Sequence, residues 1–253
     1  MLEIRQLAIG YDEPIIKDLS LEVKASEFVC VIGANGIGKT TLFKTLLRIL
    51  PKLSGQVLLD GTEIEDFSTK EFAKKVAYVP QAHVPPFPFE VIDVVIMGRT
   101  AALGTFAVPS KQDVLIAENL LELLGIEKLK NKKYTEISGG ERQMTLIARA
   151  LAQEAGTVIL DEPASSLDLG NQWKIFTQIR KLATKGLGIL MSTHNPNHVL
   201  SFADKTLAIF EDSTWMFGET NDVLTSENLS RIYGLPMRIC TLDDGEKVCV
   251  LKK

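Results

Sequence analysis

The chain has 253 residues, 45% hydrophobic and 24% charged, which is the balance of a water-soluble globular protein. That length exceeds the usual single-domain size, so one α/β domain carrying an insertion, or two subdomains, is expected. With 28 basic against 32 acidic residues the net charge is −4, which gives no electrostatic reason to expect nucleic-acid binding.

Three strand-like segments open the chain: Glu3 to Ile9, Leu19 to Val23 and Glu27 to Ile32. The links Gly10-Tyr11-Asp12-Glu13-Pro14 and Lys24-Ala25-Ser26 read as turns. Gly33-Ala34-Asn35-Gly36-Ile37-Gly38-Lys39-Thr40 then separates an apolar strand from a helix-like run, Thr41 to Leu50. Strand, Gly-rich turn and helix in that order are what a phosphate-binding loop requires. Gly55 to Leu59 is a strand ending at the turn signal Asp60-Gly61. Ser68-Thr69-Lys70-Glu71 has capping-box form, and Val76 to Val79 is a short strand stopped by Pro80.

From about residue 82 to 155 the pattern turns helical. Pro85-Pro86-Phe87-Pro88 is an apolar loop, Val91 to Met97 a short helix, and Gly98 to Pro109 irregular. Ser110 caps a helix whose apolar residues Val114, Leu115, Ala117, Leu120, Leu121 and Leu124 follow helical spacing up to Gly125. Glu141 to Ala152 is a further helix. Alternation of strand and helix resumes with a strand over Thr157 to Leu160, a helix over Leu169 to Leu182 and a buried-type strand over Gly188 to Ser192. A short helix near Asn197 to Ala203 and a hairpin-like pair, Lys205 to Phe210 and Thr214 to Phe217, follow.

At the end of the chain, Arg238 to Leu242 and Glu246 to Leu251 are strand-like around Asp243-Asp244-Gly245. A two-residue Asp244-Gly245 turn would set Cys240 opposite Cys249. Ile239, Thr241, Val248 and Val250 would then share the other face. Cys30 is the third cysteine; the three have neither metal-ligand spacing nor disulfide density, so reduced thiols in a cytoplasm are the expectation. No run approaches the roughly 18 apolar residues of a membrane span, and the Met1-Leu2-Glu3-Ile4 start is unlike a signal peptide. Work at a membrane would go through a partner.

The chemistry lies in a few motifs. In the Gly-rich loop, backbone N–H groups can curl around a phosphate chain because no Cβ blocks a positive φ or a close approach. The helix behind it adds a partial positive charge. Lys39 would reach the β- and γ-phosphates, and the Thr40 hydroxyl would ligate Mg²⁺, so the chain is expected to bind a nucleoside triphosphate. Val158-Ile159-Leu160-Asp161-Glu162 is an apolar strand ending in two carboxylates, at the edge where parallel α/β sheets bind ligands. One acid can hold Mg²⁺ and the next can deprotonate the attacking water. His194 follows the strand ending at Ser192-Thr193 and is placed to reach a γ-phosphate. Ser138-Gly139-Gly140-Glu141 opens a helix with a second set of N–H donors. One nucleotide needs one cradle, so this second cradle is expected to serve the nucleotide of another copy.

In order and together, these motifs resemble the ATP-binding subunit of an ABC transporter over nearly all of the chain. Gly33 to Thr40 resembles Walker A, Gln81 the Q-loop, Ile137 to Glu141 the family signature, and Val158 to Glu162 Walker B. Ser165-Ser166-Leu167-Asp168 resembles the D-loop, His194 the switch histidine, and Tyr11 the aromatic that stacks on adenine. The resemblance implies an α/β fold: a P-loop NTPase core with a RecA-like mixed or parallel sheet, an N-terminal antiparallel β subdomain and an inserted helical signature subdomain. Core and β subdomain would take about residues 1–81 and 156–235, the helical subdomain about 82–155, and a terminal β-hairpin about 236–253.

The resemblance also implies ATP and Mg²⁺ as cofactors. ATP would be held by Tyr11, Gly33, Asn35, Gly36, Gly38, Lys39, Thr40 and Thr41. The opposing chain of a homodimer would add Ser138, Gly139, Gly140, Glu141 and Asp168. Mg²⁺ would sit on Thr40, Gln81 and Asp161, with Glu162, His194 and Gln81 serving hydrolysis. Multi-span permease subunits would be the direct partners, docking near Gln81 to Arg99. A substrate-binding protein would act indirectly, nucleic acid would have no part, and the place of work would be the cytoplasmic face of the cell membrane.

Three positions depart from the family pattern: Glu141 for the usual signature Gln, Ser26 for a usual Gly, and Ala164 for a common Thr. Met97-Gly98-Arg99 and Thr193-His194-Asn195-Pro196-Asn197-His198 are similar to importers of iron-siderophore complexes, haem, cobalamin and molybdate or tungstate. The stretch Thr105 to Pro109 and the ending Leu224 to Leu229 lean the same way. The alternative is a soluble ABC ATPase without transport, in iron–sulfur assembly or on nucleic acid. Two tandem nucleotide domains or a long coiled-coil insertion would favour the nucleic-acid roles, and the sequence has neither. The Met97-Gly98-Arg99 segment argues against a third reading, an exporter.

Overall fold

The computed structural model describes residues 1–81, 87–103, 107–165 and 167–252. Pro85 and Pro86 of the apolar loop, Thr105 and Phe106, and Ser166 lie outside the described residues.

In chain order the strands and helices begin with β1 (Leu2–Gly10), β2 (Pro14–Val23), β3 (Phe28–Ile32), α1 (Lys39–Leu46), β4 (Ser54–Leu59) and β5 (Thr62–Glu63). Next are α2 (Thr69–Ala73), β6 (Val76–Val79), α3 (Val91–Ile96), α4 (Lys111–Leu123), α5 (Gly139–Ala152), β7 (Thr157–Leu160) and α6 (Leu169–Ala183). The chain ends with β8 (Gly188–Thr193), α7 (Pro196–Phe202), β9 (Lys205–Ile209), β10 (Trp215–Glu219), α8 (Thr220–Val223), α9 (Ser226–Tyr233), β11 (Met237–Thr241) and β12 (Lys247–Leu251).

One compact unit comprises residues 1–66 and 180–253. It holds an antiparallel sheet in the order β2-β1-β4-β5 and a mixed sheet in which β3 runs parallel to both β8 and β9 while β10 pairs antiparallel to β9. All five residues of β3 and all six of β8 are buried, which is why β3 is an unbroken apolar run and β8 is apolar up to the buried Ser192-Thr193 at its end, with no polar alternation in either. The Asp60-Gly61 turn has both residues at positive φ, 52° and 83°, and closes Leu59 on Thr62 as its dipeptide signal requires. Ser26 sits at φ 63°, a left-handed conformation that glycine adopts without steric cost. β2 begins at Pro14, ahead of the expected Leu19. Proline at a strand's first residue gives up no ladder bond, and register shifts along β1 let the pairing continue.

The other unit comprises residues 67–179. β6 and β7 pair in parallel, and α3, α4 and α5 make up most of the rest. Three capping boxes start helices here, Ser68 with Glu71 at α2, Ser110 with Asp113 at α4 and Ser138 with Glu141 at α5. Met97 to Ala101, expected to be partly irregular, forms a 3₁₀ turn. Among the described residues, no helix is long and apolar enough to cross a membrane.

The terminal hairpin forms in a register that corrects the expected one. Cys240 pairs with Val248 and Ile239 with Cys249, one residue away from the Cys240–Cys249 pairing. The loop holds three residues, Asp243 to Gly245, with Leu242 N–H donating to Glu246 O and Gly245 at φ 87°. A three-residue loop ending in a left-handed glycine fits the strand twist as well as the two-residue turn does, and it moves the register by one. The two cysteines therefore lie on opposite faces of the ribbon, with Ile239 and Thr241 on the face of Cys249 and Val248 and Val250 on that of Cys240. All three cysteines are free.

Candidate nucleotide site

In the first unit the Gly-rich loop leaves the end of buried β3 and turns into α1. Gly36 and Gly38 take φ of 78° and 108°. At Gly38 a Cβ would come within 3.0 Å of the Ile15 side chain, and at Gly33 within 2.9 Å of the Ile209 carbonyl oxygen. Conformation therefore demands glycine at position 36, space at position 33, and both at position 38. Lys39 is only 6% exposed, and its ammonium donates to the Gly33 and Ala34 carbonyls at 2.9 and 3.0 Å. The lysine folds the loop into a ring around its own cation. Asn35, Gly36 and Thr40 lie on the exposed side, and Thr41 is half-buried. Tyr11 is 59% exposed on the β1–β2 turn, its ring available for stacking. His194 is exposed just past the end of β8, where the Tyr233 hydroxyl donates to its carbonyl at 2.7 Å.

In the second unit, Val79 pairs with Leu160, so Gln81 and the Asp161-Glu162 pair leave neighbouring parallel strands at the same end. Asp161 N–H continues the ladder to Val79 O at 3.0 Å, and the Asp161 residue is buried. Glu162 takes φ 45°, a left-handed conformation that costs a non-glycine residue on the order of 1–2 kcal/mol. Strain of that kind persists where the fold over-determines it, and it gathers at working sites. The Gln81 amide donates from Nε2 to Ser165 Oγ at 2.8 Å, which ties the Q-loop residue to the turn after Glu162. Thr40 hydroxyl, Asp161 carboxylate and Gln81 carbonyl are hard oxygen donors, the chemistry that suits Mg²⁺.

Ser138 caps α5 by accepting Glu141 N–H at 3.3 Å, and Glu141 returns by accepting Ser138 N–H at 2.8 Å. These bonds with Ser138, backbone first, hold the Glu141 carboxyl below its ordinary range, so a full negative charge stands at the head of the signature helix. A cavity of about 290 Å³ is lined there by Ser138, Gly140, Glu141, Asn171 and Lys174. Asp168 caps α6, accepting from Asn171 N–H and Nδ2 at 2.8 and 2.9 Å. Thus the structure joins Lys39 to its loop in one unit, and Gln81 to Ser165 and Ser138 to Glu141 in the other.

Sequence reasoning missed α9 and Tyr233 within it, although Thr225 as cap, Leu229 and Ile232 at helical spacing, and Gly234 at the end were readable signals.

Comparison with known proteins places the chain in a family. The ABC transporter family matches residues 16–165, and the chain belongs to that family. It is an ATP-binding, ATP-hydrolysing subunit with a P-loop α/β fold. It is 40% identical, over 92% of its length and 89% of the relative's, to an uncharacterised ABC transporter ATP-binding protein of Haemophilus influenzae. To the molybdate import ATP-binding protein MolC of the same organism it is 36% identical, over 93% and 89% of the two chains. Among solved structures, an ABC transporter described as of the metal-chelate type, in an inward-facing conformation, superposes with a TM-score of 0.87 at 33% identity, covering 99% of this chain and 98% of that one.

Proposed function

We propose that this ATPase powers import of a metal chelate (an iron-siderophore complex, haem or cobalamin) or of an oxyanion such as molybdate or tungstate. The observation that carries this reading is the whole-length likeness to a molybdate importer's ATP-binding protein and to a metal-chelate type transporter. In this reading two copies face head to tail at the cytoplasmic face of the membrane. Tyr11 stacks on adenine, a contact worth about 1–3 kcal/mol in other base-stacking proteins. Gly33, Asn35, Gly36, Gly38, Lys39, Thr40 and Thr41 hold the phosphates, and Ser138, Gly139, Gly140, Glu141 and Asp168 reach the nucleotide of the opposing copy. Thr40, Asp161 and Gln81 would hold Mg²⁺, which when bound neutralises developing phosphate charge. Glu162 takes the proton of the attacking water, and His194 and Gln81 complete the hydrolytic set.

A multi-span permease is the direct partner. A groove of about 470 Å³ lined by Lys70, Thr100, Leu103, Gln153 and the exposed Met97, at one end of the stretch Gln81 to Arg99, supports docking there.

The test is Glu162→Gln. It should keep ATP binding, lower turnover by about 10²–10⁴ through loss of the general base, and accumulate as an ATP-bound dimer on gel filtration. Near-normal hydrolysis would remove Glu162 from this role. Co-purification of the chain with a multi-span membrane protein checks the transport role, and a soluble partner alone would count against it.

A further inference from the structure

The segment His194 to Asn197, which leads from the end of β8 into the first turn of α7, is held at both ends by the last part of the chain. At its start, Tyr233 on the final turn of α9 donates its hydroxyl to the His194 carbonyl at 2.7 Å. At its other end, the Asn197 side chain clasps the backbone of β12, accepting Cys249 N–H at 2.7 Å and donating to Cys249 O at 3.3 Å. Between them Asn195 is fixed locally, its N–H donating to Thr193 Oγ1 at 3.1 Å and its Oδ1 accepting Asn197 N–H at 3.0 Å.

The two anchors belong to one assembly. Ser230 of α9 accepts Met237 N–H at 2.8 Å and Ser226 accepts Ile239 N–H at 3.0 Å, so α9 is stitched to β11, and β11 pairs with β12 along its length. Tyr233 is half-buried, and Cys249 is buried. A side chain that mimics a ladder partner by bonding both the N–H and the C=O of one strand residue sets position to within a hydrogen-bond length.

We propose that α9 and the terminal hairpin form a clamp that fixes the backbone of the His194 segment, with Tyr233 and Asn197 as positioning residues for ATP hydrolysis. The inference rests on the reading of His194 as a member of the hydrolytic set. It gives the end of the chain, expected from the sequence to be a structural cap without a part in ATP chemistry, a place in that chemistry. The physical argument is geometric. A group that must meet a phosphoryl oxygen loses much of its effect when displaced by an ångström, and a backbone held at both ends cannot drift that far.

The experiment is steady-state ATP turnover and thermal unfolding on the full-length chain. Tyr233→Phe removes one oxygen and keeps the ring. The clamp requires kcat to fall about three- to tenfold, the scale of one neutral hydrogen bond, with KM for ATP unchanged and Tm lowered by no more than the few degrees that one lost hydrogen bond costs. Asn197→Ala should act the same way, and Asn197→Asp, which keeps the acceptor for Cys249 N–H, should recover part of the loss. In a His194→Ala background, single-turnover rates should show no further loss from Tyr233→Phe. A lowered His194→Ala rate with Tyr233→Phe at the parent rate overturns the clamp alone. So does a loss that persists at full size without the histidine, or one matched by the fraction of chain unfolded at the assay temperature. A parent-like rate for His194→Ala overturns the hydrolytic reading of the histidine, and the clamp with it.

Discussion

At the scale of single residues, polar groups in this protein are placed by backbone conformation as much as by charge. Glu162 reaches the end of β7 only by entering left-handed φ, and Lys39 is held by two carbonyls of its own loop. His198 shows what burial does to a titratable group. Desolvation first, and the proximity of His194 second, push it down to about 4. Its value in the unfolded chain is about 6.5. Because the folded value is the lower one, protonation favours unfolding, and stability is lost as pH falls from about 6.5 toward 4. The expected result is a Tm that drops by a few degrees more between pH 7 and pH 5 in the parent than in His198→Gln. Equal drops would show that His198 does not contribute.

At the scale of elements, Met97-Gly98-Arg99 gains a meaning that its likeness to importers did not carry. A Cβ on Gly98 would lie 2.0 Å from the Arg149 carbonyl oxygen, so the 3₁₀ turn rests directly on the backbone of α5. Arg99 is buried beside it. Its Nε donates to Asp113 at 2.9 Å, and its Nη1 to Ala152 O and Glu154, each at 2.6 Å. Asp113, bonded by Ser110 first and Arg99 second, is held down to about 2 and so stays ionised as this partner. One turn thus fastens the end of the signature helix to the start of α4. Gly98→Ala should cost about 1–3 kcal/mol as an overpacking change, and urea unfolding would show it as a lower midpoint at constant slope. Arg99→Met should leave the Ala152 carbonyl without this donor, about 1–3 kcal/mol on its own, while ATP affinity stays at the parent value. A variant that binds ATP weakly but unfolds normally would contradict this structural role.

At the scale of the whole molecule, the signature region has a double task. Ser138 caps α5 within its own chain, and in the proposed dimer it faces the other chain's nucleotide. Ser138→Ala should therefore cost about 0.5–2 kcal/mol in cap stability. It should also abolish hydrolysis, yet leave ATP binding to the separate chain near normal. If the separate chain loses ATP affinity as fully as Lys39→Ala does, Ser138 serves its own site and the sandwich fails. Glu141 works against this second role, because its carboxylate offsets the positive charge that the helix head would otherwise offer to a phosphate, so Glu141→Gln should strengthen the contact across the proposed dimer.

The nucleotide-binding character of the chain was written in short-range signals. Gly36 and Gly38 announce positive φ, the runs of β3 and β7 announce buried parallel strands, and Ser110 with Asp113 and Ser68 with Glu71 announce helix starts. Each depends on neighbours a few residues apart, so sequence alone determines it. The sequence could not say that Gln81 would meet Ser165, that Gly98 would lie on Arg149, or that Tyr233 would reach His194. Those contacts join residues tens of positions apart, and only the packing of whole elements brings them within bonding distance. The hairpin register fell between the two, because Asp243-Asp244-Gly245 permits a two- or a three-residue turn of similar local energy. Of the two registers, the one formed buries Cys249 and gives its backbone to Asn197, a choice made by tertiary contacts and absent from the local sequence.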